Sequence, residues 1–153
     1  MKRILKWLLL GLLAAFLAIQ FVRPDHDAPA VDPSATLRAR FEPPPEVERL
    51  LRAACYDCHS YETRWPWYSQ IAPVSWLVAK DVREGREQMN FSTIGAADPE
   101  EQRDALRESA RQVQRGEMPL EIYVKMHADA RLTEADRELL KNWFREAAKR
   151  ARE

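Results

Sequence analysis

Cys55-Tyr56-Asp57-Cys58-His59 places two thiols three residues apart and an imidazole directly after the second. Residue types at this spacing suit covalent capture of a porphyrin. Each thiol can add to one vinyl group, giving a thioether, and the adjacent imidazole can put a nitrogen on the iron as proximal ligand. The spacing points to one covalent haem c on Cys55 and Cys58, with His59 on the metal. Other uses of a Cys pair fit less well. A disulfide between Cys55 and Cys58 needs only an oxidising compartment. A thioredoxin-like redox pair needs a strand–helix context, and none is visible. Zinc needs about four ligands. The chain has only two Cys, so His26, His127 and carboxylates would have to supply the rest.

Iron held by His59 has a second axial position. The candidates are Met89, Met118, Met126, His127 and His26. Met118 leads, because Gly116-Glu117-Met118-Pro119 is a short non-helical stretch between two expected helices. A loop there can carry a side chain across the haem face, and Pro119 stiffens its approach. A thioether favours Fe(II) and raises the potential, whereas His127 as ligand would give a lower one. An open sixth position would permit gas or peroxide chemistry.

The elements that must position these groups are helical. Glu46 follows three prolines with an acidic first turn, and Val47, Leu50, Leu51 and Ala54 recur at i, i+3, i+4 and i+7. That helix delivers both thiols to one side. From Ser60 to Pro73 the chain is irregular and aromatic, and Trp65 and Trp67 are candidates to wall the haem and exclude water. Val74 to Met89 predicts a second helix with Val74, Leu77, Val78 and Val82 on its inner face, followed by Phe91 and Ile94 folding back onto the core. Asp98-Pro99-Glu100-Glu101 opens a third, carrying Leu106, Ala110 and Val113 inward and stopping at Gly116. Thr133 with Asp136 caps the last, whose apolar face is Leu139, Leu140, Trp143, Phe144 and Ala147. The tail Lys149–Glu153 is expected to fray. No β alternation and no repeat is present, so the expected fold is all-α, a small helical domain over residues 46–149.

Ahead of it, Lys2, Arg3 and Lys6 precede an apolar run from Trp7 to Val22. As a helix from Ile4 to Val22 it would span about 28 Å, close to the hydrocarbon thickness of a bilayer. Residues 1–22 are therefore expected to be a signal anchor, with the N-terminus inside and the haem domain on the periplasmic side. Cleavage near Ala28-Pro29-Ala30, leaving a soluble periplasmic protein, is the alternative. Residues 23–45 are Pro-rich and predict an extended tether holding the domain off the membrane.

Charge is balanced, with 24 Lys+Arg against 24 Asp+Glu, so no basic excess exists to offset nucleic-acid phosphate. Only four glycines are present and no Gly-rich phosphate loop among them. No base–nucleophile constellation appears. At 153 residues the chain has room for one domain.

Several stretches together resemble the small haem-binding-domain proteins of bacteria, related to cytochrome c. They are Cys55-Tyr56-Asp57-Cys58-His59-Ser60, Glu62-Thr63-Arg64-Trp65-Pro66-Trp67-Tyr68, Ala72-Pro73-Val74-Ser75-Trp76-Leu77, Asp81-Val82-Arg83-Glu84-Gly85, Asn90-Phe91-Ser92, Gly116-Glu117-Met118-Pro119, and the single positions Tyr123, His127, Leu132 and Trp143. The resemblance runs from about Pro44 to Arg145. The Thr-Arg-Trp-Pro-Trp run is more distinctive than the haem pentad. Tyr61 departs from the small polar residue expected there. The likeness implies haem bound through Cys55, Cys58 and His59, with Met118 the natural distal position. The expected function is that of a membrane-tethered electron carrier serving redox partner proteins. A haem-based sensor or peroxidase-like protein with a labile iron site is the alternative.

Overall fold

A computed structural model describes residues 1–151; Arg152 and Glu153, part of the tail expected to fray, lie outside the described residues. Eight α-helices and four short 3-10 turns make up the described chain, with no β-strand, so the protein is all-α. The helices are α1 (Lys2–Ile19), α2 (Leu37–Phe41), α3 (Pro45–Ala54), α4 (Tyr56–His59), α5 (Val74–Gln88), α6 (Pro99–Arg115), α7 (Glu121–Met126) and α8 (Glu134–Arg150).

The core forms where the periodic apolar faces meet. Helix α3 starts with Pro45 in its first turn and buries Val47, Leu50, Leu51 and Ala54, as its spacing requires. Helix α6 buries Leu106, Ala110 and Val113 and ends at Gly116, whose φ of 73° is the left-handed geometry a glycine supplies at little steric cost. It packs along α8, which buries Leu140, Trp143, Phe144 and Ala147. The start of α8 is a reciprocal capping box: Thr133 Oγ1 accepts from the Asp136 amide at 3.1 Å, and Asp136 Oδ2 accepts from the Thr133 amide at 2.9 Å. Phe91 and Ile94 complete the core. Asp98 precedes α6 in extended backbone, but its side chain makes no capping hydrogen bond.

Two expectations need correction. The Pro-rich segment is not an extended tether throughout. Thr36 caps α2, and Leu37 and Phe41, one turn apart, are wholly buried in the domain core. Short helices of this kind are held by tertiary burial, which a proline count does not register. On α5 only Ser75 and Val82 are buried, while Val74 and Leu77 of the anticipated inner face are exposed. The N-terminal helix stops at Ile19, and three of its first five residues are cationic, so no helix among the described residues is long and apolar enough to cross a membrane. Every residue of α1 from Lys2 to Ala18 is nonetheless exposed, and its leucines meet no protein surface.

Candidate functional site

The two cysteines do not sit on one continuous helix. Helix α3 ends at Ala54, and Cys55 breaks it with φ −130°. Its carbonyl then accepts from the Cys58 and His59 amides at 3.2 and 2.9 Å, closing the single turn of α4. That turn gathers Cys55, Cys58 and His59 in one place, and both cysteines are free thiols. Burial pushes the Cys55 thiol up to about 12, helped by Cys58, and the Cys58 thiol up to about 11, helped by Asp57 and Asp81.

His59 is oriented from outside the motif. Its Nδ1 lies 3.0 Å from the Met89 carbonyl, just past the end of α5. That carbonyl can only accept, so Nδ1 carries the proton and the Nε2 lone pair is the one left for a metal. Burial holds the imidazole below the usual histidine pKa, against the pull of the Met89 and Gly85 carbonyls. The Phe91 ring stacks on it at 5.8 Å, and the Phe91 amide donates to the His59 carbonyl at 2.6 Å. Helix α5 comes this close because of Gly85: a Cβ there would meet the Cys58 carbonyl oxygen at 2.8 Å.

Asp57, between the two cysteines, is a hub that the residue pattern did not single out. It is buried, and its carboxylate accepts from the Arg64 amide (3.0 Å), Arg64 Nε (3.2 Å), Arg64 Nη2 (3.2 Å) and the Tyr123 hydroxyl (2.7 Å). Burial first, and then the Asp57 carboxylate, hold the Tyr123 hydroxyl well above the usual tyrosine pKa. Thr63 Oγ1 donates to the Asp57 carbonyl at 2.8 Å and accepts from Arg86 Nη2 at 2.9 Å, while Arg86 Nε donates to the Ser60 carbonyl at 2.8 Å. The turn is therefore fastened to α5, α7 and the aromatic loop. The one cue in the sequence was an acidic residue inside the pentad followed by an arginine seven positions on.

The remaining candidates are placed as follows. Trp65 stacks on His26 at 3.9 Å with the rings 10° apart. Trp67 is 73% exposed and meets Tyr68 edge-on. Met118 is half-buried in the bend between α6 and α7, where Arg137 Nη1 donates to its carbonyl at 3.0 Å. Met89 is buried, with its sulfur 3.1 Å from Ser109 Oγ, a hydroxyl that also has the Ala105 carbonyl at 2.9 Å. Met126 is exposed. His127 stacks on Tyr123 at 4.1 Å, with Nδ1 3.1 Å from the Tyr123 carbonyl and Nε2 3.4 Å from the Tyr68 hydroxyl.

Two thiols and an oriented imidazole on one turn fit a haem group. The donor set does not fit zinc: among the described residues no cluster of three or more His, Cys, Asp or Glu side chains could hold a metal ion. A family model described as "Haem-binding domain" matches residues 14–146. Comparison with curated proteins and with solved structures returned no match.

Proposed function

The chain belongs to the haem-binding domain family and is a haem-binding protein; on that footing we propose that it is a membrane-anchored c-type cytochrome that carries electrons outside the cytoplasmic membrane. The observation that carries this reading is the His59 Nδ1 bond to the Met89 carbonyl, beside two free thiols on the same turn. Cys55 and Cys58 would hold the porphyrin through thioethers, and His59 Nε2 would bind the iron. When bound, the haem supplies a reversible one-electron change at its iron.

The protein's part is orientation and exclusion of water. The Met89 carbonyl fixes the imidazole's tautomer and gives the ring more donor strength toward iron. Asp57 and its partners hold the turn rigid, so the ligand geometry need not rearrange between oxidation states. Exposed apolar side chains on elements flanking Cys58, namely Trp67, Val74 and Leu77, are the surface that a bound macrocycle would cover. Asp81, which faces Cys58 closely enough to raise its thiol pKa, lies one turn beyond Leu77 on α5. Met118 would be the favoured distal ligand, since Met89 is buried in the core and both ring nitrogens of His127 have other partners.

Two features support an anchor in α1: it exposes leucines on all sides, and its cations are confined to Lys2, Arg3 and Lys6. Balanced charge fits redox partners that are found without strong long-range steering.

The test is the absorption spectrum, oxidised and reduced, of protein matured with the cytochrome c assembly machinery, with haem staining of a denaturing gel. Staining that survives denaturation and is lost in the Cys55→Ala, Cys58→Ala double variant supports covalent haem. A low-spin spectrum in both states supports the carrier. A high-spin, five-coordinate iron would transfer the reading to a sensor or peroxidase-like protein, and haem lost on denaturation would overturn covalent attachment.

A further inference from the structure

The segment after α1 is bound to the domain. Gln20 forms a reciprocal amide pair with Ala72: its Nε2 donates to the Ala72 carbonyl at 3.1 Å, and its Oε1 accepts from the Ala72 amide at 2.9 Å. Trp76 Nε1 donates to the Val22 carbonyl at 2.7 Å. His26 lies flat on Trp65, 3.9 Å away, with Gln70 Nε2 3.3 Å from its Nδ1. These contacts join residues 39 to 54 positions apart and hold the segment at three residues, Gln20, Val22 and His26, within seven residues of chain. The family match begins at residue 14, inside α1, so this docked segment is part of the domain.

Docking leaves an apolar surface at the foot of α1. Phe21 and Val22 are exposed, Ile71 is 40% exposed beside the Gln20 pair, and Trp76 is 37% exposed with its N–H already satisfied. Arg23 follows at once and is exposed. Exposed apolar side chains beside a cation match the chemistry of a bilayer's headgroup boundary, and the Trp76 indole adds apolar area to them while its N–H is bonded within the protein. The patch is continuous with the exposed apolar surface of α1, and that continuity selects lipid as the occupant over a protein.

We propose that the loop carrying Ile71 and the start of α5 carrying Trp76 seat on the phospholipid headgroup layer at the exit of α1, so that the haem domain rides rigidly on the membrane surface and does not swing on a tether. This rests on α1 being the anchor.

The test uses the full, haem-loaded chain in nanodiscs of phosphatidylethanolamine and phosphatidylglycerol. Benzoylphenylalanine replaces Leu12, Ile71 or Glu146 in turn, and intact mass reports phospholipid adducts after illumination. Lipid adducts from positions 12 and 71 with none from 146 support the proposal, and Gln20→Ala should then lower the adduct at 71 while sparing that at 12. Adducts from 12 alone overturn the seating and leave the anchor intact. Adducts from 71 to a second protein chain also overturn it. No adduct from 12 overturns the anchor, and the seating with it.

Discussion

Tyr123 donates its hydroxyl proton to Asp57 Oδ2 across 2.7 Å, tying α7 to the middle of the Cys55–His59 turn from 66 residues away in the chain. The acceptor is buried, and it also takes three bonds from Arg64. Tyr123→Phe removes one donor and leaves the other three. The expected loss of stability is about 1.5 kcal/mol, the low end for a hydrogen bond to a charged group, because the carboxylate keeps other partners. Asp57→Ala leaves the Arg64 amide and the Tyr123 hydroxyl without their acceptor, while the exposed Arg64 guanidinium turns to water, and should cost roughly 2–3 kcal/mol, with a lower yield of haem-loaded protein. Urea unfolding of both variants and the double variant checks this. Additive losses would mean that the two side chains do not interact.

Gly85→Ala sets two effects against each other. Alanine is the better helix former by about 1 kcal/mol, which alone predicts a gain. The new Cβ would meet the Cys58 carbonyl oxygen at 2.8 Å, with the Cys58 carbonyl carbon and Cβ close behind, and backbone cannot swing aside as a flexible side chain does. Overpacking of this kind costs about 1–3 kcal/mol, so the clash wins. Thermal unfolding should show a lower Tm, and less haem should be retained because the clash falls on the Cys55–His59 turn. An unchanged or higher Tm would show that α5 does not lie against Cys58.

The long helices and their inner faces were legible in the sequence, because α3, α6 and α8 carry both their periodicity and their end signals locally. The four inward positions of α3, the glycine stop of α6 and the Thr133–Asp136 box are each written within a few residues of one another. The pentad at Cys55–His59 is local in the same way. The features that were not legible join distant positions. Asp57 to Tyr123, Gln20 to Ala72 and His59 to Met89 have no sequence-local trace. Helix α2 did leave one, Thr36 ahead of Leu37 and Phe41, hidden among prolines. The exposed side of α5 misled because its apolar periodicity is real but meets no protein.

Acid should loosen the start of α8. The Thr133 side chain and amide both bond the Asp136 carboxylate, and these bonds hold its pKa below the ordinary carboxylate value. A group with a depressed folded pKa adds stability that is fully present above its unfolded pKa. That stability is lost as pH falls through the folded one. Wild type should therefore lose stability on acidification below the usual aspartate range, more steeply than Asp136→Ala. Thr133→Ala should cost about 1 kcal/mol at neutral pH, typical of a lost helix cap. Chemical unfolding at stepped pH reads both. Equal slopes for wild type and Asp136→Ala would show that the box carries no pH-linked stability.

His127 and Met118 can be separated as candidates for the distal ligand because their surroundings differ. His127 has its Nδ1 within 3.1 Å of the Tyr123 carbonyl, its Nε2 within 3.4 Å of the Tyr68 hydroxyl, and its ring stacked on Tyr123. To reach iron it would have to give up the Tyr68 contact and turn away from Tyr123. Met118 sits in a bend that Arg137 pins through the backbone carbonyl, which leaves the side chain outside that hydrogen bond. Met118→Ala should therefore abolish the weak absorption near the red end of the oxidised spectrum that marks sulfur on haem iron. Replacing a thioether by water or hydroxide should also lower the reduction potential. His127→Ala should keep that band, and Tyr68→Phe should keep it as well. A band that survives Met118→Ala, with a low-spin spectrum lost in His127→Ala, would move the distal ligand to His127.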